Sequence, residues 1–204
     1  MNKIKFENNI ISPSKVVCIG RNYIEHIKEL DNKIPKNMVI FNKPNTAITN
    51  ELYFINQNTR FECEICFLIN NSKIAGVGAG LDITKADIQK DLKQQGLPWE
   101  RAKSFDKSAV FGNFVKINKS INNIKMELFV NDKLTQMAKY DKMIYKPQQI
   151  LDECKSFMSL NDGDIIMSGT PKGVGGYNIG DIFVAKIYDN NSLIIETKWI
   201  AKKS

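Results

Sequence analysis

One stretch, Phe61-Glu62-Cys63-Glu64-Ile65-Cys66-Phe67-Leu68-Ile69, predicts a strand, and Asn70-Asn71 predicts the turn that ends it. Side chains two apart on a strand point to the same face, so we expect the carboxylates of Glu62 and Glu64 side by side. Two adjacent negative charges among apolar residues are costly unless a positive group lies between them. Carboxylate oxygens suit Mg²⁺ or Mn²⁺ better than Zn²⁺. A solvated strand face is the alternative interpretation of so common a pattern.

Outward from this strand, the sequence predicts one mixed α+β domain that is rich in strands and has three or four short helices. The predicted strands comprise residues 15–19, 38–41, 61–69, 74–83, 125–130, 164–168, 182–188 and 193–200. The last two are expected to form a closing hairpin. The predicted helices comprise residues 23–30, a segment that runs from Thr84 as N-cap through Gln95, and residues 147–158, which begin with a proline.

Length and composition exclude several classes of protein. The chain has 204 residues, of which 43% are hydrophobic and 25% charged, as expected of one soluble globular domain. No apolar run approaches the roughly 18 residues of a membrane helix, and residues 1–11 do not resemble a signal peptide. We therefore predict a cytoplasmic protein that does not bind membranes. The net charge of +7 is spread along the chain rather than interleaved with aromatic residues, so nucleic acid is not a predicted partner.

The four cysteines are not predicted to carry redox or zinc chemistry. Cys63 and Cys66 form a C-x-x-C pattern, but side chains three apart on a strand face opposite ways. The chain contains one histidine, His26, and no second cysteine pair that could complete a zinc site. Free thiols in or near the core are the predicted state of Cys63, Cys66, Cys18 and Cys154.

Three further features carry possible chemistry. Asp82 follows a Gly-rich apolar run and is either a turn residue or a third metal ligand. His26 and Glu29 share a helix face at i and i+3, so the carboxylate can hold one imidazole nitrogen and leave the other as a base for water. An ordinary pair on a helix surface is the alternative. Residues 169–176 lack the pattern of a Walker or dinucleotide loop and predict a tight turn that brings backbone amides and the Thr170 hydroxyl near a ligand.

The order of these motifs resembles the fumarylacetoacetate hydrolase family, especially its short single-domain acylpyruvase and oxaloacetate decarboxylase branch. The resemblance runs from about Val16 to the end of the chain. It is carried by Cys18-Ile19-Gly20-Arg21-Asn22-Tyr23 with His26 and Glu29, Phe41-Asn42-Lys43-Pro44, Glu62-Cys63-Glu64, Leu81-Asp82-Ile83-Thr84, Gln89, Gly96-Leu97-Pro98-Trp99, Ala102-Lys103-Ser104-Phe105-Asp106, Asp162-Gly163-Asp164-Ile165-Ile166 and Gly169-Thr170-Pro171-Lys172-Gly173-Val174-Gly175.

The resemblance implies a fold, a site and an assembly. The fold would be a mixed β-roll that forms a catalytic domain over residues 16–204 after a short extension of residues 1–15, and members usually form homodimers. The implied metal ligands for Mg²⁺ or Mn²⁺ are Glu62, Glu64 and Asp82, with Lys103 beside the metal. The implied water-activating pair on a mobile lid is His26 and Glu29. The residues implied to hold a 2-oxo acid are Arg21, Gln89 and Thr170.

The implied activity is the cleavage of a C–C bond in acylpyruvate-type 2,4-dioxo acids through a pyruvate enolate. Oxaloacetate decarboxylation and isomerisation or tautomerisation of a 2-oxo acid at the same site are the alternatives. Three carboxylates, a divalent cation and Lys103 together carry no net charge, so an anionic substrate can approach without strong repulsion.

One position departs from the family. Members commonly have a T-x-R-D pattern, whereas this chain has Thr84-Lys85-Ala86-Asp87, with Ala86 in place of the arginine. Lys85 is the suggested partial replacement, although an ammonium is a point charge and not a bidentate fork.

Overall fold

The computed structural model describes residues 1–117 and 120–203. Within these ranges the strands are β1 (Ile4–Phe6), β2 (Asn9–Ile11), β3 (Lys15–Gly20), β4 (Val39–Pro44), β5 (Ile48–Thr49), β6 (Tyr53–Phe54), β7 (Thr59–Arg60), β8 (Cys63–Asn70), β9 (Lys73–Asp82), β10 (Thr84–Lys85), β11 (Ala109–Lys116), β12 (Ile124–Val130), β13 (Lys133–Lys139), β14 (Ile165–Met167), β15 (Ile182–Asp189), β16 (Ser192–Ile200) and β17 (Lys202–Lys203). The α-helices are α1 (Ile24–Glu29), α2 (Ala86–Gln94), α3 (Glu100–Lys103) and α4 (Pro147–Phe157). Short 3₁₀ helices comprise Asn45–Ala47, Ile121–Asn123 and Tyr140–Lys142.

A mixed sheet forms the centre of the molecule. Its strand order is β2-β1-β11-β9-β8-β14-β3-β4, and β5 also pairs with β11. The pairs β14–β3, β1–β11 and β5–β11 are parallel, and the other ladders are antiparallel. An antiparallel sheet of order β13-β12-β15-β16 packs against it, and β7–β10 and β6–β17 form two small ladders. The predicted α+β fold with a few short helices is confirmed.

Strand β8 is buried on both faces, which explains why it is nearly continuous in apolar residues. Ile65 and Phe67 lie in a core shared with the second sheet, whereas Cys66 and Leu68 lie in a smaller core on the other face. Cys63 belongs to the first core, so the two thiols of the C-x-x-C pattern do face opposite ways. All four cysteines are buried and free.

The neighbouring strand β9 needs glycine because aromatic rings lie directly on it. A Cβ atom on Gly80 would lie 2.7 Å from Phe111 and 2.8 Å from Cys66 Sγ, closer than van der Waals contact permits. One on Gly78 would lie 2.9 Å from the Asn113 carbonyl oxygen. The β8–β9 ladder ends at Cys63 opposite Leu81, after one register shift between Leu68 and Ile69, and the Asp82 amide then donates to the Glu62 carbonyl oxygen at 2.8 Å.

The structure adds strands β11 and β13, which the sequence did not predict, and it differs from the prediction at Thr84 and in residues 1–15. Thr84 is not an N-cap: it lies on β10 opposite Arg60, and α2 begins two residues later with Lys85 as an N-cap residue that makes no side-chain cap. Residues 1–15 contribute β1 and β2 to the main sheet, where Phe6 pairs with Phe114. The division into an extension and a domain of residues 16–204 stays a prediction.

In the ranges that the structure covers, no helix combines the length and the apolar character that crossing a membrane would require. The homodimer and the cytoplasmic location stay predictions.

Candidate metal centre and active site

Three buried carboxylates meet where β8 begins and β9 ends. Glu62 directly precedes β8, Glu64 lies two residues further on the same face, and Asp82 is the last residue of β9. One carboxylate oxygen from each lies within 4.8 Å of the others. All three side chains are nearly inaccessible to solvent, Glu64 and Asp82 most completely. The solvated strand face that was the alternative interpretation is therefore wrong.

Within the cluster, the negative charge of Glu64 is the one that its surroundings disfavour. Burial raises the pKa of Glu64 well above its ordinary value, and the charges of Asp82 and Glu62 raise it further. The Gly169 amide donates to Glu64 Oε2 at 2.7 Å and acts in the opposite direction. Among the residues described, no lysine or arginine lies within ion-pair distance of Glu64. A bound cation would therefore stabilise the charged form of Glu64.

Lys103 lies directly among the other two carboxylates. It ends α3, and its Nζ atom donates to Glu62 Oε2 at 2.8 Å, to Asp82 Oδ2 at 2.5 Å and to Thr84 Oγ1 at 2.6 Å. Burial alone would lower the pKa of Lys103, but Asp82 and Glu62 raise it above its ordinary value. The ammonium is therefore charged at neutral pH and carries a fixed positive charge into the site.

A second buried lysine, Lys43 on β4, was not assigned a role from the sequence. Its side chain is fully buried, with Nζ 2.9 Å from Asp82 Oδ1 and 3.0 Å from Ser108 Oγ, and it also donates to the Lys103 carbonyl oxygen. The Lys43 ammonium thus contacts both the predicted metal ligand Asp82 and the backbone of Lys103. The only sequence signal was its place in a motif that matches the family.

Arg60 was also missed, although it shares a strand face with Glu62. Its Nε donates to Glu62 Oε1 at 2.9 Å, and an Nη atom donates to Gln89 Oε1 at 2.8 Å. Burial would raise the pKa of Glu62, but Lys103 and then Arg60 hold it below its ordinary value. The Lys85 ammonium lies instead over the Phe105 ring, 4.3 Å from its centroid. Arg60 thus brings a guanidinium to this centre, whereas the suggested partial replacement by Lys85 stays a prediction.

The two residues of the proposed pair on α1 contact each other, and His26 lines the same cavity as the carboxylates. His26 Nδ1 lies 3.1 Å from Glu29 Oε2, and His26 is buried. The other carboxylate oxygen of Glu29 accepts a hydrogen bond of 2.8 Å from the Gly173 amide. Gly173 has φ of +101°, and a Cβ there would overlap the Thr135 carbonyl oxygen. The Gly-rich loop thus holds α1 through the same residue that orients the imidazole.

Arg21 and Thr170 complete the residues that the sequence singled out. Arg21 has a left-handed backbone with φ of 58°, a strained conformation for a residue with a long side chain, and an Nη atom donates to Asn32 Oδ1 at 3.2 Å. The Thr170 hydroxyl donates to the Cys63 carbonyl oxygen at 2.9 Å and accepts from Gln136 Nε2 at 2.8 Å. Gln136, which the sequence analysis missed, fixes this hydroxyl.

The predicted site residues converge on one cavity. The lining includes Arg21, His26, Glu62, Glu64, Asp82, Gln89, Lys103 and Thr170. Its volume is about 30 Å³, enough for roughly two water-sized groups. Glu29 does not line the cavity, but it contacts His26, which does. Three clustered carboxylates, one of them without a cationic partner, are the donor set that fits a hard divalent cation.

Comparison with known proteins agrees with this arrangement. The family profile described as "Fumarylacetoacetate (FAA) hydrolase C-terminal" matches residues 15–197. Oxaloacetate tautomerase YcgM of Escherichia coli (strain K12) is 34% identical over 199 residues, which cover 88% of this chain and 90% of that protein. The mitochondrial oxaloacetate tautomerase FAHD1 of Bos taurus is 34% identical over 191 residues, covering 85% and 86%.

Solved structures show the same fold. The crystal structure of a fumarylacetoacetate isomerase/hydrolase candidate from Oleispira antarctica superposes with a TM-score of 0.91 at 32% identity, covering 98% of this chain and all of that one. Fumarylpyruvate hydrolase from Pseudomonas aeruginosa, in complex with Mn²⁺ and pyruvate, has a TM-score of 0.87 at 24% identity over 100% and 96% of the two chains, a likeness of fold. The family profile matches most of this chain, and the tautomerase of Escherichia coli is 34% identical over most of both chains. The chain therefore belongs to the fumarylacetoacetate hydrolase family.

Proposed function

We propose that the protein is a metal-dependent enzyme that interconverts the keto and enol forms of oxaloacetate or a closely similar 2-oxo acid. The observation that carries the proposal is the buried cluster of Glu62, Glu64 and Asp82 with the Lys103 ammonium bound to two of its members. Enolisation places negative charge on the 2-oxo oxygen, and a buried positive centre stabilises that charge. Two relatives that align over most of their length are named oxaloacetate tautomerases, which supports this reaction.

Glu62, Glu64 and Asp82 are the residues that would hold Mg²⁺ or Mn²⁺. A divalent cation bound there supplies Lewis-acid stabilisation of the charge that develops on the 2-oxo oxygen. Lys103 adds a second fixed charge beside the same cluster, and it is held in place by Thr84 and two carboxylates. We assign it to the stabilisation of the enolate.

Substrate orientation is assigned to three residues on different sides of the cavity. Arg21 follows β3, Gln89 lies on α2 and Thr170 lies in the loop after β14. A guanidinium, an amide and a hydroxyl offer donors to a carboxylate and a 2-oxo oxygen. The free volume of the cavity is smaller than an oxo acid, so we assign to α1 a movement that admits substrate and then excludes water.

The proton transfer is assigned to His26. In the keto-to-enol direction a proton leaves C3, the C–H electron pair forms the C2=C3 π bond, and the C2=O π pair takes up a proton on oxygen, with no carbon–carbon σ bond broken. Glu29 Oε2 holds Nδ1 of His26, so the second ring nitrogen is the one left to exchange the proton. A buried imidazole held by a carboxylate is suited to this role.

Hydrolysis of an acylpyruvate is the second candidate, and the His26–Glu29 pair is the observation that favours it. A water deprotonated by His26 would add to the C4 carbonyl carbon. The C3–C4 bond would then break, its electron pair would form the pyruvate enolate, and the departing fragment would leave as a carboxylic acid. The same Lys103 would stabilise that enolate, so both reactions use one site.

The test is a turnover panel with the Mg²⁺-loaded protein. The ultraviolet absorbance of the oxaloacetate enol reports tautomerisation, release of CO₂ reports decarboxylation, and loss of the acetylpyruvate chromophore reports hydrolysis. We expect the rate of enol–keto exchange to exceed both other rates on a per-site basis. Hydrolysis faster than exchange would instead establish the second candidate, and exchange that persists after chelation of the metal would overturn the metal dependence.

A further inference from the structure

With a divalent cation bound, the site would carry more positive charge than a single substrate carboxylate can neutralise. Three carboxylates are matched by three buried or half-buried cations, Lys43, Arg60 and Lys103, each within ion-pair distance of Glu62 or Asp82. The protein part of the centre therefore carries no net charge. A divalent cation would bring it to two positive charges, so a monoanionic ligand would leave one uncompensated in a largely buried place.

Two further cations line the same cavity. Lys93 lies one helical turn after Gln89 on α2 and faces the cavity with it. Arg21 lines the same cavity and has a buried Nε atom with no hydrogen-bond partner among the residues described. Like charges this close repel one another unless an anion lies between them.

Lys93 has no carboxylate of its own in the described part of the chain. Its Nζ atom lies over the Trp99 ring, 5.2 Å from the centroid, and is in no ion pair. Burial, and then the charges of Arg21 and Arg60, lower the pKa of Lys93 to about 8. An ammonium that faces a cavity, lacks a counter-ion and is repelled by two guanidinium groups is poised to bind an anion.

We propose that Lys93, with Arg21 beside it, binds the distal carboxylate of the substrate, so that the enzyme selects 2-oxo dicarboxylic acids over 2-oxo monocarboxylic acids. This inference rests on the proposed function, because it takes the 2-oxo acid end to lie at the carboxylate cluster. A dianion offsets the two charges that a divalent cation adds to the carboxylate cluster, and its distal carboxylate has Lys93 and Arg21 as partners. The selectivity then comes from one residue on α2 that the known motifs do not include.

The experiment compares two stable ligands that differ only in the distal carboxylate. Malate and lactate share a 2-hydroxy acid end, and neither has an oxo group to enolise. Calorimetry with the Mg²⁺-loaded protein measures both affinities in the wild type, Lys93→Met, Lys93→Arg and Lys90→Met. Lys90 lies on the same helix with its side chain exposed, so the last variant is a matched control for loss of one charge.

We expect the wild type to bind malate at least about 10-fold more tightly than lactate, as one charge-assisted contact allows. Lys93→Met should lower malate affinity by about 10-fold and leave lactate affinity unchanged, whereas Lys93→Arg and Lys90→Met should keep the preference. The proposal is overturned if the wild type shows no preference, if Lys93→Met keeps it, or if that variant weakens both ligands equally.

Turnover separates this proposal from the proposed function. If the wild type does not enolise oxaloacetate, the proposed function fails, yet the malate preference still decides the role of Lys93. If oxaloacetate is turned over with the same KM in the wild type and in Lys93→Met, the proposed function stands and the Lys93 subsite is withdrawn. The expected result is a KM raised about 10-fold in Lys93→Met, with a much smaller change in kcat.

Discussion

The buried ammonium of Lys43 lies 2.9 Å from Oδ1 of Asp82, on the opposite side of that carboxylate from Lys103. Asp82 is thus held from both sides, with 2.5 Å between its Oδ2 atom and Lys103 Nζ. Lys43 also donates to the Lys103 carbonyl oxygen and to Ser108 Oγ. One residue outside the cavity lining therefore positions both a candidate metal ligand and the end of α3.

Lys43→Met should destabilise the fold. The substitution leaves the Asp82 carboxylate short of one cation and the Lys103 carbonyl oxygen short of one donor. Removal of one partner from a buried ion pair typically costs about 3–5 kcal/mol. We expect the free energy of unfolding in urea to fall by about 3 kcal/mol or more. Lys36→Met, at an exposed position, should change it by less than about 0.5 kcal/mol. Equal stabilities of the two variants would contradict the positioning role.

Glu62→Gln or Asp82→Asn should abolish metal binding and turnover together. Each change removes one anionic oxygen from a site built for a hard cation. Even partners outside the ligand set alter metal affinity by about 10–100-fold, so we expect a loss of at least about 100-fold. Calorimetry with Mg²⁺ and with Mn²⁺ measures it.

The matched control is Glu153→Gln on α4, an exposed carboxylate far from the cavity lining. Its Mg²⁺ affinity should equal that of the wild type. Unchanged affinity in both Glu62→Gln and Asp82→Asn would withdraw the ligand assignment, whatever their effect on turnover.

Glu29→Gln should separate the chemistry of the α1 pair from closure of the lid. A glutamine oxygen can still accept from the Gly173 amide, so the contact that holds α1 remains possible. The charge that holds His26 is lost. We expect acetylpyruvate hydrolysis to fall by about 10²-fold or more, the usual scale for a general base, and decarboxylation of oxaloacetate to fall much less.

His26→Ala should show the same ratio of activities, and Glu25→Gln on the exposed side of α1 should leave both rates unchanged. A drop in both rates by the same factor in Glu29→Gln would mean that the pair acts through closure or positioning. Hydrogen exchange of residues 21–37 with and without oxalate then reports whether closure itself has changed.

Asp164→Asn should lower stability at neutral pH and not in acid. Oδ1 of Asp164 accepts from the Ser14 and Lys15 amides, and Oδ2 lies 2.7 Å from Lys15 Nζ, which joins β3 to the segment before β14. Burial would raise the pKa of Asp164, but these hydrogen bonds, led by that from Lys15, lower it. A carboxyl whose folded pKa is depressed stabilises the fold above its unfolded pKa and loses that effect as pH falls.

Urea unfolding at pH 7 and at about pH 3 tests this sign. We expect Asp164→Asn to cost about 1–3 kcal/mol at pH 7. The difference from the wild type should shrink as pH falls below about 4, the ordinary aspartate value. Asp106→Asn, an exposed change of the same kind, should show no such trend. A gap between wild type and Asp164→Asn that is constant with pH would contradict the assignment.

The fold was largely predictable because its central strands are strongly patterned. The apolar run at residues 61–69 became β8, and the Gly-rich run became β9. Strand β11 was missed because Gly112 and Asn113 interrupt its apolar pattern where its register with β9 shifts. Gly112 is required there, since a Cβ would overlap Thr197, a contact that sequence alone does not reveal. Strand β13 is polar because it lies at a sheet edge.

The candidate site was predictable from strand spacing together with a residue order that resembles a family. Strand spacing pairs Glu62 with Glu64 and the resemblance adds Asp82 as a ligand; the structure brings them together, although their roles stay predictions. Lys43 and Arg60 were not identified because a charged residue on a strand normally indicates solvent. Only the packing shows that Lys43 is fully buried against Asp82. Arg60 could have been suspected from its shared face with Glu62.

The β8–β9 hairpin, with its turn between Asn70 and Lys73, has a consequence for the order of folding. Pairings within a hairpin are local and form on the order of 1–10 μs, ahead of contacts between distant segments. We therefore expect Glu62, Glu64 and Asp82 to meet early, before β4 and α3 bring Lys43 and Lys103 to them. At that stage the three carboxylates would repel one another. A divalent cation present at that stage would speed refolding, so the ion would assist assembly of the enzyme as well as its catalysis.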